Sequence, residues 1–328
     1  MPRLRFLPDR FVLVLLGTVL LASLLPPSGR AAIGFEWLTN AAIALLFFMH
    51  GAKLSRESII AGVSHWRLHL LVFAFTFALF PLLGLLMRPM LEPLIGPELM
   101  LGMLYLCALP ATVQSAIAFT SMARGNIPAA ICSAAASSLL GVFITPILVL
   151  WLMGVQGGDA AGSVADAIGK ITLQLLVPFI AGQIARRWIG GWVARNKQWL
   201  KYVDQGSILL VIYTAFGRAV HEGLWQQVPL ASLLLLLLAC ALLLALVLAI
   251  VWWGSKALGF DLPDRITILF CGSKKSLATG VPMAQVLFAG GAIGAMILPV
   301  MLFHQIQLMV CAYLAQRFAQ RKDVAEDA

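Results

Sequence analysis

The chain has 328 residues, of which 61% are hydrophobic and 11% are charged. So few charged side chains provide too little polar surface to cover a soluble globule, which excludes a soluble globular protein. The net charge of +9 is not gathered into basic patches interleaved with aromatic residues, so nothing indicates a nucleic-acid partner. Membrane topology and lipid headgroups account for that charge instead.

Ten apolar or small-residue segments follow one another along the chain, and we interpret each as a transmembrane helix. They comprise residues 11–27, 38–52, 68–87, 99–122, 128–153, 168–185, 203–217, 227–253, 266–287 and 292–316. The first also resembles a signal peptide, but its removal would leave nine spans, so we expect it to be retained. The sequence therefore predicts an all-α polytopic membrane protein with ten transmembrane helices.

The basic residues are divided unequally between the two sides of the predicted membrane. With the N-terminus in the cytoplasm, seventeen of the 23 lysines and arginines fall in cytoplasmic loops and tails, four fall on the opposite side, and the remaining two, Lys274 and Lys275, lie within the ninth span. Cytoplasmic loops of membrane proteins carry such an excess of positive charge. The bias predicts a multi-pass protein of the cytoplasmic (inner) membrane, surrounded by membrane lipid, with both termini in the cytoplasm.

A polar linker divides the ten spans into five and five. We predict a first five-helix repeat at residues 1–153, a linker at 154–167 and a second five-helix repeat at 168–328. Similar short sequences occur at corresponding places in the two halves, such as Gln114-Ser115 with Lys275-Ser276 and Thr145-Pro146 with Leu298-Pro299. An odd number of spans inserts the two copies in opposite orientations, which is a common design of transporters with a central binding site.

The fourth and ninth spans differ from ordinary transmembrane helices. Pro110 lacks a backbone donor and is followed at once by polar residues, and the ninth span contains Lys274 and Lys275. An ammonium group in the middle of a bilayer costs at least about 2.5 kcal/mol. A proline kink with serine and threonine bonded to their own helix is the simpler interpretation of one such span. Polar breaks in both halves favour a binding site instead.

Catalytic and metal-binding interpretations receive less support from the residues. The five cysteines all fall within apolar spans and are interpreted as small core residues. The sequence has no CxxC pair or HExxH motif, and we expect no metal site at His50 or His304. Ser276 beside Lys275 resembles a serine–lysine catalytic pair, but the internal repeat favours a carrier. We therefore expect no enzymatic activity and no cofactor, other than Na⁺ as a possible coupling ion.

Several motifs resemble the bile acid:sodium symporter family, in particular its sodium/bile acid cotransporter 7-like branch. They are Leu109–Ser121, Ala123–Asn126, Leu139–Pro146, Gly272–Leu277 and Gly280–Pro282. The resemblance implies two inverted repeats that form a panel domain from the first, second, sixth and seventh helices and a core domain from the others. Within that core, the broken fourth and ninth helices cross. The resemblance also implies secondary-active symport of a small-molecule organic anion by alternating access.

The chain departs from the family pattern where the better-known members bind sodium. In those members a Ser-Asn pair in the fourth helix and a glutamate in the ninth helix help to coordinate the ion. Here Ser115 matches the serine, but Ala116 stands in place of the asparagine and Phe270 in place of the glutamate. We also expect all fourteen carboxylates to lie in loops, in tails or at span ends. The sodium sites are therefore not expected to be intact, although a residual Na⁺ site at Ser115 and Ser276 stays open.

Our hypothesis is that a lysine ammonium takes the place of the cation and attracts an anionic substrate. The predicted substrate- or ion-binding residues are Thr112, Gln114, Ser115, Ser133, Ser273, Lys274, Lys275 and Ser276. We expect the hydroxyls and backbone carbonyls among them to hold the ammonium, with Lys275 facing the site and Lys274 bracing the crossing. Burial disfavours the charged form of an amine, so proton coupling is an alternative to Na⁺ coupling.

A regulatory membrane protein that affects ion homeostasis is the alternative function. The identity of the substrate and the oligomeric state are not specified by these patterns.

Overall fold

The protein is described by a computed structural model that covers residues 10–53, 65–153, 172–221, 223–288 and 293–321. The described part of the first half forms α1 (Arg10–Leu24), α2 (Gly29–Lys53), α3 (Trp66–Ile95), α4 (Pro97–Ala108), α5 (Gln114–Met122) and α6 (Ile127–Leu152). The described part of the second half forms α7 (Val177–Arg195), α8 (Lys197–His221), α9 (Leu230–Ala257), α10 (Leu262–Gly272), α11 (Leu277–Leu287) and α12 (Ile293–Ala319). The predicted linker at 154–167 lies outside the described residues.

The helices are those of a membrane protein. Among the described residues, five helices are long and apolar enough to cross a bilayer, namely α2, α3, α6, α9 and α12. Large apolar side chains such as Leu20, Trp37 and Leu238 are exposed on the outer surface, where only lipid would cover them. The predicted all-α membrane architecture is therefore confirmed.

The two predicted breaks are present. The fourth predicted span consists of α4 and α5, which are separated by residues 109–113, and the ninth consists of α10 and α11, which are separated by residues 273–276. Leu109 adopts an extended conformation, with ψ of 152°. This conformation is expected of a residue that precedes a proline, because the proline ring clashes with a helical predecessor.

The helices pack in two groups, which we call the first group (α1, α2, α7 and α8) and the second group (α3–α6 and α9–α12). In the first group, α2 runs closely against α7, and α8 contacts both α1 and α2. In the second group, α4 lies at the centre between α3 and α12, and its residues Met103–Ala108 are completely buried. The five cysteines are buried and unpaired, as expected of small core residues.

Glycine is required where α2 and α7 meet. A Cβ atom on Gly182 would collide with the backbone carbonyl of Phe48, and one on Gly51 would collide with the carbonyl of Phe179. Side chains at these two positions would push the backbones apart, so the pair of glycines sets the distance between the helices.

We predict that Gly182→Ala destabilises the protein, because the added methyl group overpacks the contact between α2 and α7 at a cost of about 1–3 kcal/mol. The matched control is Gly191→Ala in the same helix, where no described atom lies within 4 Å of the added Cβ. The melting temperature of the detergent-purified variants measures the difference. Equal melting temperatures for the two variants would contradict the close approach.

Candidate functional site

The backbone groups released at the break between α4 and α5 bind partners from neighbouring elements. Thr145 donates to the carbonyl of Ala108 at 2.9 Å, and Ser137 accepts from the amide of Ala111 at 3.1 Å. The amide of Ser276, in the other break, donates to the carbonyl of Pro110 at 2.9 Å. Unpaired backbone groups are very costly away from water, so these contacts are what permits two interrupted helices inside the membrane.

Lys275 is completely buried and donates to three backbone carbonyls. Its Nζ lies 2.7 Å from the oxygen of Thr76, 2.8 Å from that of Cys107 and 2.7 Å from that of Leu109. Cys107 and Leu109 lie at the C-terminal end of α4, where helix carbonyls lack intrahelical partners. Thr76 belongs to a π turn that interrupts the regular hydrogen bonding of α3. We call these three oxygens the carbonyl site.

The backbone of Lys275 is held by Gln307 of α12. The Oε1 atom of Gln307 accepts from the amide of Lys275 at 2.9 Å, and its Nε2 atom donates to the carbonyl of Lys275 at 2.8 Å. The same Nε2 donates to Nδ1 of His304 at 2.8 Å. Since Nδ1 accepts this bond, the proton of the His304 ring resides on Nε2.

Lys274 points in a different direction from its neighbour. Its Nζ donates to the carbonyl of Ser115 at 2.9 Å and lies 3.9 Å from the ring centroid of Phe119 and 5.3 Å from that of Phe270. Like Lys275, it is completely buried. Lys274 therefore joins the ninth-span break to α5 through one hydrogen bond to its first turn and one cation–π contact with Phe119, whereas Phe270 belongs to α10 of the ninth span itself.

The serine and threonine hydroxyls are bonded to other partners rather than to the ammonium groups. Ser133 contacts Nδ1 of His69 at 2.6 Å, and Ser273 donates to the carbonyl of Leu269 at 2.6 Å. Thr112 is paired with Ser115, and Ser276 is paired with Thr279. The expected combination of hydroxyls and carbonyls around an ammonium is therefore wrong, since carbonyls alone accept from both lysines.

A cavity of about 400 Å³ lies between the two helix groups, and we call it the central cavity. Four of the predicted site residues line it, namely Thr112, Gln114, Ser115 and Ser276. The other four, Ser133, Ser273, Lys274 and Lys275, are buried and do not line it. The expectation that Lys275 faces the site is therefore wrong in this structure, because the carbonyl site binds its ammonium elsewhere.

The N-termini of two helices border the central cavity. Residues 112–115, at the start of α5, and residues 276–279, at the start of α11, all belong to its lining. Ser276 caps α11 by accepting from the amide of Thr279, whereas no described side chain caps α5. A helix N-terminus carries partial positive charge and free amide donors, so two of them favour an anion in this cavity.

Ionisable residues of the first group complete the lining, and the sequence patterns did not identify them. Lys53, His50, Lys201 and Asp204 face the cavity from α2 and α8. Lys53 and Asp204 form an ion pair between these helices. Asp204 was expected at a span end, but α8 begins at Lys197, so its carboxylate lies within the helix and is 8% exposed.

His304 is a further lining residue that the patterns missed. Because Gln307 donates to Nδ1 of His304, the Nε2–H group of the histidine remains available as a donor. The ring that carries it borders the cavity. The two histidines and two lysines that line this cavity can be recognised as a group only when helices distant in sequence are brought together.

The residues around the break do not fit a sodium ion. Na⁺ is bound in transporters by backbone carbonyls of unwound helices, but here Lys275 already donates to the carbonyls of Cys107 and Leu109 at the end of α4, and Lys274 donates to that of Ser115. A second cation beside a buried ammonium would also be repelled. Among the described residues, no group of three histidine, cysteine or acidic side chains converges in a way that could hold a metal ion.

Comparison with known proteins identifies the family. Residues 9–320 match the SBF-like CPA transporter family. An uncharacterized protein of Pseudomonas aeruginosa is 67% identical over 328 residues, which cover 100% of this chain and 98% of that protein. The putative symporter YfeH of Escherichia coli is 56% identical over 315 residues, covering 96% of this chain and 94% of YfeH.

A mammalian protein is also similar, at lower identity. Sodium/bile acid cotransporter 7 of Rattus norvegicus is 30% identical over 276 residues, which cover 83% of this chain and 80% of the rat protein. The resemblance of the motifs around both breaks to the bile acid:sodium symporters is therefore confirmed. The chain belongs to the SBF-like CPA transporter family and is a multi-pass membrane transporter.

Proposed function

We propose that this transporter carries an amphipathic organic anion, which binds in the central cavity and crosses the membrane by alternating access. The observation that carries this proposal is the meeting of two helix N-termini, α5 and α11, at one cavity that is also lined by Lys53 and Lys201. Asp204 neutralises one of these lysines, so the lining keeps an excess of positive charge. An anion entering the cavity would find amide donors, an ammonium and the Nε2–H of His304.

The apolar part of the lining suggests the kind of anion. Ile117, Leu139, Phe179, Ile208 and Leu308 border the same cavity. A site with mostly apolar walls and a few polar groups is typical of ligands with a large hydrophobic body. Because two of the relatives are named a symporter and a sodium/bile acid cotransporter, a steroid-like acid is a suitable first probe.

The proposed architecture has ten transmembrane helices in two inverted five-helix repeats, in which the first group is the panel and the second group the core. The order of the helices supports the repeat. Helices begin at Trp66, Pro97, Gln114 and Ile127, and helices of matching order begin 163–166 residues later, at Leu230, Leu262, Leu277 and Ile293. Rocking of the panel against the core around the central cavity would then expose the cavity to each side of the membrane in turn.

The proposed location is the cytoplasmic membrane, with both termini in the cytoplasm. The excess of lysine and arginine in the loops on one side supports this orientation. Lys53 and Lys201 belong to that side, so the central cavity would open towards the cytoplasm in this conformation. The exposed apolar side chains of the helices would contact lipid.

We expect Lys201→Ala to weaken uptake of the anionic probe cholate into proteoliposomes. Loss of one exposed charge should raise the half-saturating concentration by about twofold to fivefold. The matched control is Lys256→Ala, because Lys256 is exposed near Trp253 and does not line the cavity. If Lys201→Ala and Lys256→Ala transport cholate equally well, the cavity lysines do not bind the anion.

Lys53 needs a paired design, because its removal leaves Asp204 as a buried anion without its partner. We expect Lys53→Ala to reduce uptake more strongly than the double variant Lys53→Ala/Asp204→Asn, in which both charges are absent. Failure of every tested anion, including cholate and smaller aromatic carboxylates, to accumulate would contradict the proposed substrate class and favour a regulatory role.

The orientation can be tested by labelling single cysteines, since the native cysteines are buried. We expect Gln198→Cys, near the start of α8, to react with a membrane-impermeant maleimide only after cells are permeabilised. Arg30→Cys, at the start of α2, is the matched control and should react in intact cells. Both positions are exposed. The reverse pattern would invert the proposed topology.

A further inference from the structure

We infer that Lys275 is a tethered cation, whose ammonium permanently fills the place where a transporter of this design would bind a coupling cation such as Na⁺. The observation is the carbonyl site, in which the oxygens of Thr76, Cys107 and Leu109 surround one buried Nζ at 2.7–2.8 Å. These oxygens come from two helices, α3 and the end of α4. The ammonium therefore acts as a bridging ion between them.

The carbonyl site has the chemistry of a cation site. The C-terminal end of α4 carries partial negative charge, and the unwound residues that follow expose further carbonyl oxygens. Such half-helix ends and unwound carbonyls are the groups that coordinate Na⁺ in transporters with broken helices. The ring of Phe80 lies 4.1 Å from the same Nζ and adds the electron-rich face of an aromatic ring.

The number of acceptors indicates which form of Lys275 is bound. An ammonium has three N–H donors, and each of them has one carbonyl oxygen within hydrogen-bond distance. A neutral amine has only two donors and would turn its lone pair towards the third carbonyl. The geometry therefore favours a fixed ammonium over a group that gives up its proton in each transport cycle.

As a consequence, the partial negative and partial positive charges of the helix ends at the breaks are balanced in different places. The negative end of α4 is neutralised by Lys275, while the positive ends of α5 and α11 border the central cavity. The anion site therefore needs no dissolved cation to offset the carbonyl oxygens at the break. The consequence for transport, which rests on the proposed function, is that uptake of the anion does not require Na⁺.

Thermal stability of the purified protein tests the tethered cation without any substrate. The wild-type protein should melt at the same temperature in NaCl and in KCl of equal ionic strength. Lys275→Ala should melt about 5–10 °C lower, because three buried carbonyls lose their donor. Methylammonium chloride should restore more than half of that loss in Lys275→Ala by binding the vacated carbonyl site, whereas tetramethylammonium, which has no N–H donor, should not.

Two further variants keep the test decisive. Lys275→Met preserves much of the side-chain length and fills the space, so it should be destabilised without rescue by methylammonium. Lys256→Ala, an exposed lysine, should melt like the wild type. If Lys275→Ala does not fold during purification, its yield of monodisperse protein should rise when methylammonium is present throughout.

The opposite results would overturn the inference. A wild-type melting temperature that rises in NaCl but not in KCl would show that a sodium site exists despite Lys275. Equal stability of Lys275→Ala and the wild type, or a loss that methylammonium does not reduce, would show that the carbonyl site does not depend on a cation. Since neither readout involves an anion, failure of the proposed transport of cholate would leave these results unaffected.

Discussion

The rest of the structure depends on how the backbone groups of two interrupted helices are satisfied inside an apolar protein. Water is not available there to bind free carbonyls and amides, and each one left alone would cost several kcal/mol. Lys275 supplies three donors to the carbonyl site, Gln307 binds both backbone groups of Lys275, and Ser276 donates to Pro110. These contacts fasten α3, α4, α11 and α12 together, so the backbone groups at the breaks are bound by neighbouring elements rather than left free.

This solution also decides the electrostatics of the central cavity. Lys275 is placed on the carbonyl side of the break in the fourth span, while the helix starts at Gln114 and Leu277 border the cavity. Lys53 and Lys201 add positive charge from the facing helices, and Asp204 balances only one of them. A cavity arranged in this way favours an anion, because its donors are fixed in position before the ligand enters.

The two adjacent lysines have separate roles because they lie in a break. In a continuous helix, neighbouring side chains would point about 100° apart and remain on one cylinder. In the non-helical segment between α10 and α11, Lys274 reaches the carbonyl of Ser115 while Lys275 reaches the opposite half of the fourth span at Cys107 and Leu109. Together they tie both halves of the fourth span to the break in the ninth.

The sequence by itself determined the membrane class, the family and the positions of both breaks, because Pro110, the Lys274-Lys275 pair and the long apolar runs are local features. It also identified Thr112, Gln114, Ser115 and Ser276 as cavity residues, since they follow directly from the breaks. Only the tertiary structure decided where the ammonium groups lie, because the partners of Lys275 are carbonyls of α3 and α4, and every residue type carries a carbonyl. The lining by His50, Lys53, Lys201, Asp204 and His304 was likewise decided by packing, since three helices far apart in sequence must meet before those side chains share one cavity.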